Sequence, residues 1–175
     1  MAHRGLDLDR SEELAENSLA AFRWCAERGL SIELDLQITG DGQLIVAHDS
    51  TIEHWSKGQA KVAWSALTWT DVSKLSHNFG AIASFNEVLS LAREFPSLWL
   101  AVHLKGPNQA PAFLTSVVST LQAWSDLQTR IFLFDMKTDT AASMRRALPS
   151  VGLAPSVAHD FDIRRYQSSC HGTLT

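Results

Sequence analysis

Short apolar runs alternate along the chain with amphipathic stretches, and each period predicts its own element. In Ser31 to Gln37, the apolar Ile32, Leu34 and Leu36 alternate with Glu33, Asp35 and Gln37, the period-two pattern of a strand with one apolar face. Thr39-Gly40-Asp41-Gly42 supplies turn chemistry, and Gln43 to Ala47 reads as a second strand that His48 ends. Upstream, Leu19, Phe22 and Ala26 recur on one face of a helix over Ser18 to Arg28, with Asn17 as its cap and Gly29 as its stop. The polar, glycine-containing segment from Asp49 to about Lys61 predicts an excursion loop before the Trp64 to Leu75 stretch. A helix from about Phe85 to Glu94 stops near Pro96. Beyond it, strands at Leu98 to Leu104, Ile131 to Phe134 and Val151 to Ala154 alternate with helices at Pro111 to Leu127 and Thr140 to Leu148. No repeat or low-complexity tract interrupts this order.

Strands separated by helices pair in parallel through right-handed crossovers, so the predicted class is α/β. A (β/α)8 barrel collects its chemistry at the C-terminal ends of several strands, which is where His3, Asp35, His48 and Lys105 fall. That distribution favours the barrel. A doubly wound sheet more often carries a glycine-rich phosphate loop after its first strand, and Gly5 alone does not make one.

Composition narrows the picture modestly. A chain of 175 residues that is 45% hydrophobic can bury one core, and it has no run of about 18 apolar residues that could span a bilayer. The formal charge of -4 argues against a nucleic-acid binder. Arg145-Arg146 and Arg164-Arg165 are isolated pairs that read as solvated helix faces. Cys25 and Cys170 lie too far apart in sequence to suggest a disulfide framework or a metal knuckle, so a reducing compartment is expected. Met1 leads straight into His3-Arg4-Gly5 with no basic and apolar leader, which makes a cytoplasmic location the expectation.

The polar residues of the strand ends carry the chemistry. Glu33 and Asp35, two apart on a strand, point to the same side with roughly 6.6 Å between their alpha carbons. A cation between them relieves their repulsion; the plainer alternative is a solvated acidic strand face. His3 and His48 are the candidate acid and base, because imidazole titrates near neutrality. Taken singly, each also fits an ordinary packed or surface histidine, the reading kept for His54, His77, His159 and His171. Arg4 offers a planar fork for phosphate oxygens and Lys105 a point charge. Asn17 can cap the helix and still reach the site.

Together these motifs resemble the glycerophosphodiester phosphodiesterase family. The likeness runs through HRG at His3 to Gly5, ENSLAAF at Glu16 to Phe22, ELDLQITGDGQLIVAHD at Glu33 to Asp49 and HLK at His103 to Lys105. SFNEVLSL at Ser84 to Leu91 and IFLFD at Ile131 to Asp135 extend it over nearly the whole chain. The resemblance implies a metal-dependent hydrolase that releases sn-glycerol 3-phosphate and an alcohol from a small-molecule glycerophosphodiester. It implies Glu33, Asp35 and Glu16 as metal ligands, His3 and His48 as the acid–base pair, and Arg4, Asn17 and Lys105 on the phosphate.

The chain departs from the family pattern in three places. His103 stands where the family usually has a glutamate, placing a neutral nitrogen among the ligands and tilting the expected metal from magnesium or calcium toward manganese or zinc. Only Met1 and Ala2 precede His3, where the family has a full apolar strand. About six strands can be counted against the eight of a complete barrel, so the expectation is a single domain over residues 1–175, truncated at its C-terminal side. Open edges would then invite a homo-oligomer. The alternatives are a noncatalytic metal- or phosphate-binding remnant of the fold and a related phosphodiesterase acting on lysophospholipid or sphingomyelin headgroups.

Overall fold

The alternation in β2 (Ile32–Ile38) organises the molecule. Ile32, Leu34 and Leu36 are fully buried in the main apolar core, while Glu33, Asp35 and Gln37 occupy the other face. The computed structural model describes residues 1–5, 14–53, 56, 58–77, 80–105 and 109–156. The expectations for His54, His159, Arg164, Arg165, Cys170 and His171 lie outside the described residues.

Two parallel neighbours flank β2. On one side is β1 (Ala2–His3), with His3 opposite Glu33, and on the other β6 (Leu100–His103), with His103 opposite Asp35. Next to β6 run β7 (Ile131–Met136) and β8 (Gly152–Pro155), giving the order β1-β2-β6-β7-β8. Five parallel strands therefore bring His3, Asp35, His103 and Asp135 to one end of the sheet. The sixth strand, β3 (Leu44–Val46), runs antiparallel to β2. The number of strands in this sheet agrees with the sequence count, but β3 is a hairpin arm and not a further parallel strand. Its connection is too short for a crossover, which needs a dozen residues or more. Thr39 fixes the turn instead: its hydroxyl donates to Asp41 at 2.5 Å and accepts from the Gln43 amide at 3.0 Å. Among the described residues the sheet is an open arc of the (β/α)8-barrel type.

Helices cover the outer face. Ser18, not Asn17, caps α1 (Leu19–Glu27), accepting the Ala21 amide at 3.2 Å and freeing Asn17 for another use. A short helix, α2 (Trp69–Val72), and a hairpin of β4 (Ser76–His77) with β5 (Gly80–Ala81) lie in the excursion between β3 and α3 (Phe85–Glu94). That hairpin was not anticipated, because two-residue strands carry no readable period. Ser84 and Glu87 form a capping box at the start of α3. A smaller apolar cluster of Ile45, Ala47, Ile52, Trp64, Val72 and Ile82 holds the excursion together. Downstream, α4 (Pro111–Ala123) gives way to a 3-10 turn at Ser125–Arg130, ending earlier than the expected Leu127. Arg130 in that turn donates to the carbonyls of Ala92, Phe95 and Leu98. The last helix, α5 (Thr138–Ala147), closes on β8, where Arg145 donates to the carbonyls of Pro149 and Val151. No described helix is long and apolar enough to cross a membrane.

Candidate active site

Asp35 is the hub of the strand-end cluster. Although only 1% exposed, it meets Arg4 Nε at 3.3 Å, His103 Nδ1 at 2.9 Å, Lys105 Nζ at 3.6 Å and the Asn17 amide nitrogen at 3.4 Å. Donors and cations on every side are what allow a carboxylate to sit this deep. Arg4 Nε makes no aligned hydrogen bond, so its contact with Asp35 is an ion pair without directional bonding. The carbonyl oxygen of the buried Asn17 side chain has no hydrogen-bond partner among the described residues.

Backbone strain marks the same place. Arg4, Asn17 and Asp135 are the described non-glycine residues with left-handed backbone, at φ of 55°, 56° and 60°. Such conformations cost of order 1 kcal/mol or more and persist where surroundings impose them. Gly5 follows Arg4 at φ 70°, and an added Cβ there would lie 2.6 Å from the Phe22 ring, so the chain can pass this close to α1 only as glycine.

Glu33 sits one register step below Asp35. Its carboxylate accepts the Arg4 backbone amide at 3.1 Å and lies 3.8 Å from His3 Nε2. Burial pushes its carboxyl above the ordinary range, Asp35 pushes the same way, and the Arg4 amide offsets only part of this. Donor atoms of Glu33, Asp35 and His103 lie within 4.8 Å of one another. Two carboxylate oxygens and an imidazole nitrogen at that spacing fit a divalent cation, which would offset the burial and the Asp35 repulsion that raise Glu33. Glu16 is not part of this trio. Both of its oxygens accept from Arg4 Nη1, at 3.1 and 3.3 Å.

His48 follows β3 by two residues, beside the cluster. Its Nδ1 pairs with Asp49 at 2.8 Å, and its backbone carbonyl accepts from Lys105 at 2.6 Å and from Gln37 at 3.3 Å. Lys105 thus ties the hairpin to the end of β6. His3 is the most exposed member, with 71% of its side chain open to solvent. The strands therefore bring together Arg4, Asn17, Glu33, Asp35, His103 and Lys105, with His3 and His48 at the margin.

Residues 3–160 match the glycerophosphoryl diester phosphodiesterase family. The chain belongs to that family. A glycerophosphodiester phosphodiesterase of Caldanaerobacter subterraneus is 40% identical over 76 residues, covering 43% of this chain and 29% of that protein. A glycerophosphodiester phosphodiesterase from Parabacteroides distasonis shares the fold at a TM-score of 0.75 and 19% identity, over 94% of this chain and 68% of that one. A phosphodiesterase from Oleispira antarctica, solved in complex with the product sn-glycerol-3-phosphate, gives a TM-score of 0.74 at 18% identity, over 96% of this chain and 70% of that one. The match to the Caldanaerobacter protein spans less than a third of its length.

Within this family member, sequence reasoning missed Asp135. It is the penultimate residue of β7, beside His103, and its carboxylate lies 2.8 Å from His103 Nε2. The readable signal was an acidic residue at the C-terminal end of a barrel strand, the same criterion that selected Asp35.

Proposed function

We propose that the chain hydrolyses a glycerophosphodiester to sn-glycerol 3-phosphate and an alcohol, with a divalent cation held by Glu33, Asp35 and His103. The observation that carries this reading is the convergence of those three donor groups with Arg4 and Lys105 at the ends of parallel strands. A cation bound there supplies Lewis-acid polarisation of a phosphoryl oxygen.

The protein's own groups do the rest. Arg4 and Lys105 offset negative charge on the equatorial phosphoryl oxygens, and Glu16 braces the Arg4 guanidinium through both carboxylate oxygens. His48, held at Nδ1 by Asp49, presents Nε2 for proton exchange, and His3 completes the acid–base pair. One imidazole takes the proton of the substrate's own glycerol hydroxyl as it attacks phosphorus, and the other protonates the departing alcohol oxygen as its bond to phosphorus breaks; water then opens the resulting cyclic phosphate to sn-glycerol 3-phosphate with the two imidazoles exchanging roles. Asn17 steadies Asp35 through its amide. The sn-glycerol-3-phosphate complex of the Oleispira neighbour supports the product class. A cytoplasmic setting belongs to the same proposal.

Release of glycerol 3-phosphate from glycerophosphocholine, measured separately with magnesium, calcium, manganese and zinc, tests the reading. Activity is expected with manganese or zinc as best activator, because His103 contributes nitrogen to the donor set. Calcium as best activator would overturn that preference. No activity with any metal would favour a noncatalytic binding remnant.

A further inference from the structure

The ring of His103 is held from three directions. Nδ1 faces Asp35 at 2.9 Å, Nε2 faces Asp135 at 2.8 Å, and the Phe134 ring stacks on it at 4.7 Å with 10° between planes. Phe134 and Asp135 are consecutive on β7, so in a regular strand they would point to opposite faces. Here both address the same imidazole. The left-handed backbone of Asp135, at φ 60°, and the register irregularity between Phe134 and Met136 turn its carboxylate back toward the site. Further bonds hold this conformation. Ser156 Oγ donates to Asp135 Oδ1 at 2.5 Å, and the Gln109 amide donates to the carbonyls of Asp135 at 2.6 Å and Leu104 at 2.8 Å.

We propose that Asp135 is a positioning residue that fixes the ring orientation and tautomer of His103 for metal binding. This inference rests on the reading of His103 as a ligand. Metal-bound imidazoles commonly donate their other N–H to a carboxylate, which raises ligand basicity and sets which nitrogen carries the lone pair. With Asp135 accepting from Nε2, the Nδ1 proton that faces Asp35 is the one given up when a cation enters, and His103 then offers the Nδ1 lone pair to the space it shares with Glu33 and Asp35. Placing an imidazole where the family usually has a glutamate requires an acceptor for the far nitrogen. Asp135 is that acceptor, and a glutamate at position 103 would have no use for it.

Cobalt(II) binding to the intact chain, read by its visible absorption and titrated to obtain Kd, separates the possibilities. Asp135→Ala is expected to weaken binding about 10- to 100-fold and to change the absorption spectrum. Asp135→Asn, which keeps the shape and an acceptor oxygen, should restore part of the affinity. In a His103→Glu background, Asp135→Ala should no longer weaken binding, since no imidazole remains to orient. An equal loss in both backgrounds would overturn the positioning role, as would unchanged binding by Asp135→Ala alongside weakened binding by His103→Ala. Unchanged binding by His103→Ala would instead remove the ligand reading itself.

Discussion

Leu34 and Asp35 are neighbours on β2 and almost equally sealed from solvent, at 0% and 1% exposure, yet opposite physics keeps them there. Leu34 faces the helices and is held by contact with other apolar side chains, a non-directional force proportional to area. Asp35 faces the strand-end cluster and is held by specific partners: a guanidinium, an ammonium, an imidazole and an amide. One side of the arc tolerates rearrangement so long as volume is kept, whereas the other fails when a single partner goes missing. The strained backbones of Arg4, Asn17 and Asp135 all belong to the second side. Stability is concentrated behind the sheet and the proposed chemistry in front of it.

Asp35→Asn should separate the two sides most sharply. It removes a proposed metal ligand and the shared anion of three basic groups, and kcat/KM is expected to fall about 10³-fold, or roughly 4 kcal/mol of transition-state stabilisation. Leu34→Ala makes the complementary cut. It should cost about 2–5 kcal/mol in urea unfolding while leaving metal affinity of the folded protein unchanged. A Leu34→Ala protein with normal stability and weakened metal binding would break the division. Ser84→Ala, which removes no apolar core side chain and no group of the strand-end cluster, should cost only about 1 kcal/mol through loss of the α3 capping box.

The smallest effect concerns Glu33 and carries a sign. Its folded carboxyl is raised above the ordinary glutamate range, mainly by burial, so the folded state holds the proton more tightly than the unfolded state. In the metal-free protein, this contribution to stability is complete below the unfolded pKa and is lost as pH rises through the folded one. Glu33→Gln abolishes the loss. At neutral pH without metal the variant should unfold at a higher temperature than the parent, and adding the activating metal should reverse the order by stabilising the parent alone. A parent that gains stability over Glu33→Gln as pH rises in the absence of metal would contradict the burial argument.

Much of this division is legible in the residues themselves. The period-two pattern of β2 separates Leu34 from Asp35 without coordinates, and the motifs around it point to the right family. Sequence loses its grip where backbone geometry breaks a period. Asp135 reads as the residue just past a strand that ends at Phe134, and nothing in IFLFD announces the left-handed turn that swings it onto His103. Asn17 reads as a helix cap because its chemistry suits one; Ser18 takes that place, and Asn17 turns to Asp35. Glu16 lies in the family motif, but its pairing with Arg4 is a tertiary contact no spacing encodes. For β3, the turn chemistry of Thr39 to Gly42 was visible, and its shortness already implied the antiparallel arm.

The proton-transfer role given to His48 is the most exposed part of the mechanism, since it sits at the edge of the cluster, where its backbone carbonyl accepts from Lys105 and Gln37. Glycerol 3-phosphate release from glycerophosphocholine, compared between the intact chain and His48→Ala with the best activating metal, addresses it directly. With the unfolding midpoint unchanged, His48→Ala is expected to lower kcat by about 10²- to 10⁴-fold. Equal rates from the two proteins would contradict acid–base catalysis by His48.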